Sequence, residues 1–427
     1  MIGIVLFFLA LITLFVGYPV ALTFAGLSLL VGFWIEGIGL FNFMPYRLYG
    51  IMENTILMSI PLFVFMGVVL QKSGLAERLL EAMGRLFGGQ PGGLAFSTLI
   101  VGAFLAASTG VVGASVIAMG LISLPVMLKY GYDQRLATGT ICAAGTLGQI
   151  IPPSVILIIL GDVMSVPVGD LFKLAMIPGL VLVGLYLVYV LIYTQINKQA
   201  APAVPSNAEN KFELIKTALW NIIPCAALIM VVLGSILTGI ATPTESSALG
   251  AVGSLVLARI YNGTISWDIL TQSAKETVTV TSMVFAVLIG ATAFSMVFTY
   301  SDGDLLAEQY LVNLPGEKWT FLIFSMLLVF ILGFFIDFVE IAFIVVPILA
   351  PIAEALGINM VWFGVLIAMN LQTSFLTPPF GFSLFYLKGV VPPEVKTITL
   401  YKGVIPFILL QVLMVVLLMV FPEQLGF

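Results

Sequence analysis

Histidine is absent from the chain, cysteine occurs only twice, and charged residues make up 9% of the sequence. Without imidazole there is no histidine general base and no His-containing zinc site. Cys142 and Cys225 lie far apart inside apolar stretches and read as small packing residues, not as a disulfide or metal pair. No H-E-x-x-H, G-x-S-x-G or phosphate-binding glycine loop occurs, and no nucleophile–base pair stands out, so no enzyme is expected. The net charge of −5 is small and dispersed, with no basic patch to suggest nucleic acid as a partner.

Apolar residues fill the space left by charge. They account for 61% of the chain, against about 45–50% in soluble domains, where charge reaches about 25%. Apolar runs of about 18 residues or more, long enough to span a bilayer, recur along the whole length. The partner of most of this surface is the lipid bilayer, and the class is an all-α polytopic membrane protein. The first 16 residues lack the basic start and small-residue cleavage site of a signal peptide, so they read as a helix.

Two long apolar segments are each broken by a proline pair, Pro152-Pro153 and Pro378-Pro379. Proline lacks an N–H and clashes with the preceding turn, so each pair must interrupt its helix and release carbonyls. At bilayer depth, unpaired backbone is tolerated only where it is buried in protein or lines a polar cavity. Broken helices at corresponding places in two halves point to a transport site.

The remaining elements follow in order. Gly17-Tyr18-Pro19 divides helices at about 2–16 and 19–34, and a third helix is expected at about 52–71. Residues 73–87 are amphipathic and suit the membrane interface. Residues 92–128 are cut by Ala107-Ser108-Thr109-Gly110 into two short arms, the pattern of a re-entrant hairpin. A broken helix at about 134–160 and a helix at about 171–195 complete the first half. A Pro/Ala/Ser/Asn linker covers 199–210. The second half offers helices at about 215–238 and 243–260, an interfacial stretch at about 264–275, and a helix at about 277–300. An acidic arm at 301–313, a hairpin at about 318–356, a broken helix at about 359–387 and a last helix at about 400–421 follow.

The halves are related by spacing. Pro125 and Pro351, Gly131 and Gly357, Pro152 and Pro378, and Pro153 and Pro379 all differ by 226, and Asp133 and Asn359 share that offset. Pro19 and Pro243, and Gly26 and Gly250, differ by 224. The division expected is a first repeat at 1–197, with scaffold helices 2–88, hairpin and broken helix 92–160 and helix 171–197. A cytoplasmic linker occupies 198–215. The second repeat, 216–427, has scaffold helices 216–313, hairpin and broken helix 317–387 and a last helix 400–422. Lysine and arginine set the orientation. With the N-terminus outside, Lys72, Arg78, Arg85, Lys129, Arg135, Lys198, Lys216, Arg259, Lys275, Lys388, Lys396 and Lys402 fall on the cytoplasmic side. Asp302, Asp304 and Glu308 fall outside. The halves then start on opposite sides, so the repeats are inverted and both termini are periplasmic.

Each half thus presents a hairpin tip beside a broken helix. Ser108 and Thr109 supply hydroxyls in the first, with carbonyls around Gly145, Gly148, Ile151 and Pro152. In the second, Thr373, Ser374 and Thr377 lie on the broken helix, and Gly333 and Asp337 on the hairpin. Neutral oxygen donors suit a weakly held alkali cation such as Na⁺ better than a transition metal, although such hydroxyls also serve as helix glue. Asp337 and Glu340 are ionisable groups at depth and therefore functional candidates, with helix capping as the alternative for Asp337. Thr242-Pro243-Thr244-Glu245 has capping-box spacing, which gives Glu245 a structural role. No Lys or Arg sits mid-membrane in either hairpin or broken helix, so an anionic substrate would be balanced by bound cations and half-helix N-termini.

Four stretches together resemble the large membrane subunit of TRAP transporters, the DctM type: GYDQRLATGTICAAGTLGQIIPPS (131–154), ATPTESSALGA (241–251), FFIDFVEIAFIVVPILAPIAEALGI (334–358) and NLQTSFLTPPFGFSLF (370–385). The resemblance covers essentially the whole chain. It implies a sodium-gradient-driven secondary transporter of a small organic anion, moving by an elevator mechanism in the bacterial inner membrane. It also implies two partners, a small four-helix membrane subunit, expected here as a separate chain, and a periplasmic substrate-binding protein. By resemblance, one of two Na⁺ sites maps to Ser108, Thr109, Gly148, Ile151 and Pro152, and the other to Gly333, Thr373, Thr377 and Pro378. Asp337 maps to the substrate cavity, for which Ser108, Thr373 and Gln149 are further candidates. Gln372 stands where the family often has Glu, and Ser383 where it often has Asn. The competing architecture is a stand-alone sodium/carboxylate symporter that needs no binding protein.

Overall fold

The computed structural model describes residues 2–204, 211–313 and 315–426, and every regular element among them is helical. Seven helices among the described residues are long and apolar enough to cross a membrane. α1 (Ile2–Phe15) and α2 (Val20–Glu36) are separated where the sequence places the break, with Gly17 in a left-handed conformation. The third helix starts later than expected. Residues 37–43 form a 3-10 turn, α3 (Met44–Glu53) is short, and α4 (Ser59–Lys72) begins after a turn built on Asn54. The Asn54 side-chain oxygen accepts from the Ile56 N–H, and its carboxamide takes that stretch out of the helix.

α5 (Leu75–Phe87) leaves α4 at a bend of 57°. Its amphipathic pattern is realised: Leu75, Leu79, Leu80 and Met83 are buried, while Glu77, Glu81 and Arg85 are exposed. α6 (Gly93–Thr109) and α7 (Val112–Lys129) form the first hairpin, turning at Gly110. Its base is closed by the Leu94 N–H, which donates to the Tyr132 hydroxyl at 3.2 Å. α8 (Gln134–Thr146), a 3-10 turn at Leu147–Gln149 and α9 (Val155–Val163) make the first broken helix, followed by α10 (Val168–Ile196). The linker is less free than its composition suggests. The Ala200 and Ala201 carbonyls accept from the Asp133 and Gly92 N–H groups, and the Val204 N–H donates to the Gly88 carbonyl. Its remainder, 205–210, lies outside the described residues.

α11 (Lys211–Leu237) and α12 (Pro243–Asn262) open the second half, and the expected capping box is present, with reciprocal Thr242 and Glu245 bonds. The expected interfacial stretch at 264–275 instead runs into one continuous helix, α13 (Trp267–Tyr300), and supplies about its first quarter. Ser266 caps it, nothing from 267 to 289 is Gly or Pro, and Lys72 pairs with Glu276 at 2.7 Å. The cap and the lack of a breaker favour propagation locally, and the ion pair to α4 supports the run from outside it. α14 (Gly303–Val312) leads to the second hairpin. Its arms are α15 (Glu317–Leu332) and a run of α16 (Phe338–Glu340), a π-turn at Ile341–Val345 and α17 (Val346–Ala355). α18 (Met360–Leu376) and α19 (Phe382–Lys388) form the second broken helix, and α20 (Thr397–Val420) ends the fold.

The two hairpins open toward opposite ends of the molecule, and α20 measures this. Near its start, Gly403 lies against the Arg135 carbonyl at the base of the first hairpin and broken helix. Near its end, the Leu418 carbonyl accepts from the Trp362 indole N–H at 2.8 Å, and Lys318, at the base of the second hairpin, lies over the Trp362 ring. At 1.5 Å per residue, the 15 residues from Gly403 to Leu418 separate those bases by about 22 Å along α20. Asp133 and Asn359, equivalent by the 226 offset, both cap the helices that follow them.

Candidate functional site

The first candidate site is assembled by a seam of small residues. Gly102 lies against Ala144, Gly145 against Val116, and Gly148 against the Ala106 carbonyl, so both hairpin arms sit close on α8. Gly110 lies against Val155, the first residue beyond the break. The hairpin end therefore bridges the interruption from Gly148 to Val155, with Ser108 and Thr109 on the turn between. Pro152 and Pro153 offer no N–H to the carbonyls of Gly148 and Gln149. The Gln149 carbonyl receives the Ser154 hydroxyl at 2.7 Å, while that of Gly148 has lost its helical donor. Ser108 donates to the Leu105 carbonyl at 2.8 Å, and Thr109 pairs with Ser115 at 2.7 Å. A hydroxyl that donates to its own helix keeps lone pairs free to accept. Ile151 and Pro152 are buried in the break. Gln149 is buried too, and neither amide atom of its side chain has a hydrogen-bond partner. Unsatisfied groups at that depth are rare in native structures and call for a ligand, water or ion.

The second site repeats the logic. Gly333, at the end of α15, lies against the Ser374 side chain of α18. Pro378 and Pro379 deprive the carbonyls of Ser374 and Phe375 of helical donors. The Thr377 N–H reaches the first at 3.1 Å, and the Ser383 hydroxyl the second at 2.8 Å. Thr373 donates to the Met369 carbonyl at 2.9 Å and Thr377 to the Thr373 carbonyl at 2.7 Å, again leaving oxygen lone pairs. Thr373 is buried, whereas Thr377 and Pro378 are half-buried at the mouth. Both Pro-Pro peptide bonds are cis.

Asp337 holds the first residue of the arm after the tip, its carboxylate accepting the Phe338 N–H at 2.6 Å. Capping is thus one of its functions, and its half-buried carboxylate has a second oxygen to offer. Glu340, one turn on, is buried with its Oε2 unpartnered. Several contributors escape a reading of the chain alone. Ser154 and Ser383 do the same work but are not at the 226 offset, and Asn370 ties α18 to α15 through the Met326 carbonyl at 2.6 Å. Ser115 is too far along α7 to be paired with Thr109 from spacing alone. Gly67 of α4 lies against the backbone of Ser108 and Thr109, which brings a scaffold helix onto the first tip.

The donors of both sites are neutral oxygens at a freed helix end, with glycine where a side chain would fill the space, and that set fits an alkali cation. Ser108, Thr109, Gly148, Ile151 and Pro152 would hold it in the first site. Gly333, Thr373, Thr377 and Pro378 would hold it in the second.

A family model described as tripartite ATP-independent periplasmic transporter, DctM component, matches residues 5–424. A C4-dicarboxylate TRAP transporter large permease protein of Pseudomonas aeruginosa is 31% identical over 81% of this chain and 79% of its own length. The sialic acid TRAP transporter large permease protein of Vibrio cholerae is 28% identical over 96% of this chain and 94% of its own. An isethionate TRAP transporter permease of Oleidesulfovibrio alaskensis is 30% identical over 93% of this chain, which spans 62% of that longer protein. Among solved structures, the Alcanivorax borkumensis YdaH transporter superposes with a TM-score of 0.62 at 16% identity, covering 95% of this chain and 97% of that one. At that identity the likeness concerns the fold.

Proposed function

The chain belongs to the DctM component family of tripartite ATP-independent periplasmic transporters, and from that premise we propose that it is the large membrane subunit of a sodium-driven importer of a small organic acid. The observation that carries this reading is the pair of matched breaks. In each half a hairpin end closes on a Pro-Pro interruption whose carbonyls have lost donors and whose hydroxyls keep free lone pairs. Sodium ions at the two sites supply positive charge that the hairpins and broken helices lack, so an acid can bind without a buried guanidinium. Asp337, with Ser108, Thr373 and Gln149, lines the substrate cavity between the sites. Relatives named for C4-dicarboxylates, sialic acid and isethionate support an acidic substrate as a class.

The two hairpins and two broken helices form the moving unit, and α1–α5 with α11–α14 the scaffold. The close approach of Gly67 to the first tip supports an elevator movement, because small residues there leave a smooth surface for sliding. The repeats divide at the linker 198–215. A small membrane subunit covers part of the scaffold, and a periplasmic binding protein delivers the substrate on the side of both termini, in the bacterial inner membrane.

The test is reconstitution in proteoliposomes with the small subunit and the binding protein, an imposed sodium gradient, and a panel of labelled dicarboxylates, sialic acid and sulfonates. Uptake of one class that needs both the gradient and the binding protein is expected. Uptake undiminished without the binding protein would instead support a stand-alone symporter, and uptake indifferent to sodium would refute the coupling.

A further inference from the structure

The sites described above leave one buried polar cluster unused. Thr146 ends α8, Gln372 lies near the end of α18, Tyr186 is midway along α10, and Gln411 is midway along α20. All four side chains are fully enclosed. Gln411 Nε2 donates to Thr146 Oγ1 at 3.4 Å, a long bond. The Tyr186 hydroxyl is near enough to interact with the Gln411 and Gln372 side chains but makes no aligned hydrogen bond. Both amide atoms of Gln372 and Oε1 of Gln411 are likewise unpartnered. The cluster is itself symmetric. Thr146 and Gln372 differ by 226, the offset of the two Pro-Pro pairs, and Tyr186 and Gln411 differ by 225. It therefore lies where the two repeats face each other, as two equivalent pairs.

Its place in the chain connects it to both breaks. Thr146 is two residues before Gly148, and Gln372 immediately precedes Thr373. We propose that Thr146, Tyr186, Gln372 and Gln411 are positioning residues that couple occupancy of one cation site to occupancy of the other. The proposal rests on the reading that a sodium ion binds at each break. An unmade hydrogen bond in a buried site is costly, and these groups can make theirs by rotating toward one another. A carboxamide presents a donor on one side and an acceptor on the other, and the tyrosine hydroxyl can do either. An ion that orders the Gly148 end of α8 holds Thr146 in place, which draws Gln411, Tyr186 and then Gln372 into one arrangement. That arrangement sets the α18 turn carrying Thr373, so the second ion meets a site already ordered. Coupling of this kind is reciprocal, and it commonly amounts to about 5- to 150-fold in affinity.

Equilibrium binding of radiolabelled sodium to the purified full-length chain tests this without a substrate, with choline chloride holding ionic strength constant. Wild type is expected to bind two ions with a Hill coefficient well above 1. Tyr186→Phe removes one oxygen atom, and Gln372→Met keeps length while removing both polar atoms. Each is expected to bind two ions still, with the Hill coefficient falling toward 1 and half-saturation rising several-fold. Both variants binding with the wild-type Hill coefficient would overturn the coupling, whether affinity is unchanged or weakened equally at both sites, since the latter marks simple helix glue. Non-cooperative binding by wild type would overturn it as well. Wild type that binds no sodium would refute the functional reading first, an outcome distinct from cooperative binding that the variants leave intact. Tyr186→Phe keeps the ring packed edge-on against Phe407, 5.1 Å between centroids, so its fold is expected to persist even where Gln372→Met does not yield protein.

Discussion

A methyl group added at Gly148 tests the geometry of the first site more directly than removing a ligand. Its Cβ would overlap the Ala106 carbonyl, a backbone atom of the hairpin that no rotamer change can move. The hairpin end must retreat, and overpacking of this kind costs about 1–3 kcal/mol. If that cost appears wholly in the bound state, it weakens sodium affinity by about 5- to 150-fold, since about 1.4 kcal/mol is a factor of ten. Two other glycines calibrate the effect. At Gly333 the obstacles are the Ser374 hydroxyl, which can rotate away at the cost of its 2.8 Å bond to the Leu371 carbonyl, about 1 kcal/mol, and the Ser374 Cβ at 2.7 Å, which needs only a few tenths of an ångström of shift in α18. At Gly184, in α10, a Cβ meets nothing within 4 Å, and helix propensity favours alanine by up to about 1 kcal/mol. The expected order of damage is Gly148→Ala, then Gly333→Ala, with Gly184→Ala neutral or mildly stabilising. The assay is sodium-dependent uptake in proteoliposomes, with thermal melting of each purified variant measured with and without sodium. Wild-type half-saturation and melting for Gly148→Ala would refute both the close approach of Ala106 and the location of the site.

Thr109→Ala and Thr377→Ala each remove one hydroxyl, and a loss of about 1–3 kcal/mol is expected to raise the sodium needed for half-maximal uptake several-fold. Unchanged sodium dependence in both variants, at normal expression, would make these hydroxyls helix glue. Asp337→Asn retains a side-chain oxygen for the Phe338 N–H but loses the charge, and asparagine caps about as well as aspartate. Uptake is expected to collapse while the protein remains folded and inserted; near wild-type uptake would leave Asp337 only its capping function. Because Cys142 and Cys225 are buried, single cysteines report topology cleanly. An impermeant maleimide added outside is expected to label Glu308→Cys and miss Lys198→Cys, and the reverse pattern would invert the orientation.

Much of this protein was written locally. Proline at 152, 153, 378 and 379 cannot donate to a helix in any context, so the two breaks follow from the chain. The capping box at Thr242–Glu245, the amphipathic face of α5 and the shared offset of 226 are also properties of nearby residues and spacing. The start of α4 and the single run of α13 depart from the pattern expected of the chain because interruption there depends on small balances. Asn54 captures the N–H of Ile56 in one place, and Ser266 with the Lys72–Glu276 pair extends the helix in the other.

What the chain by itself determined was a membrane protein of two related halves, each with a hairpin beside a broken helix, because burial, turn chemistry and proline sterics act within a few residues. Only the tertiary structure decided which distant atoms meet. It placed the Ala106 carbonyl on Gly148, the Ser383 hydroxyl on the Phe375 carbonyl, and the Gln411 carboxamide beside the Thr146 hydroxyl. Those encounters depend on how whole helices pack. A hydroxyl or carboxamide carries no mark in the sequence of the partner that packing will bring to it.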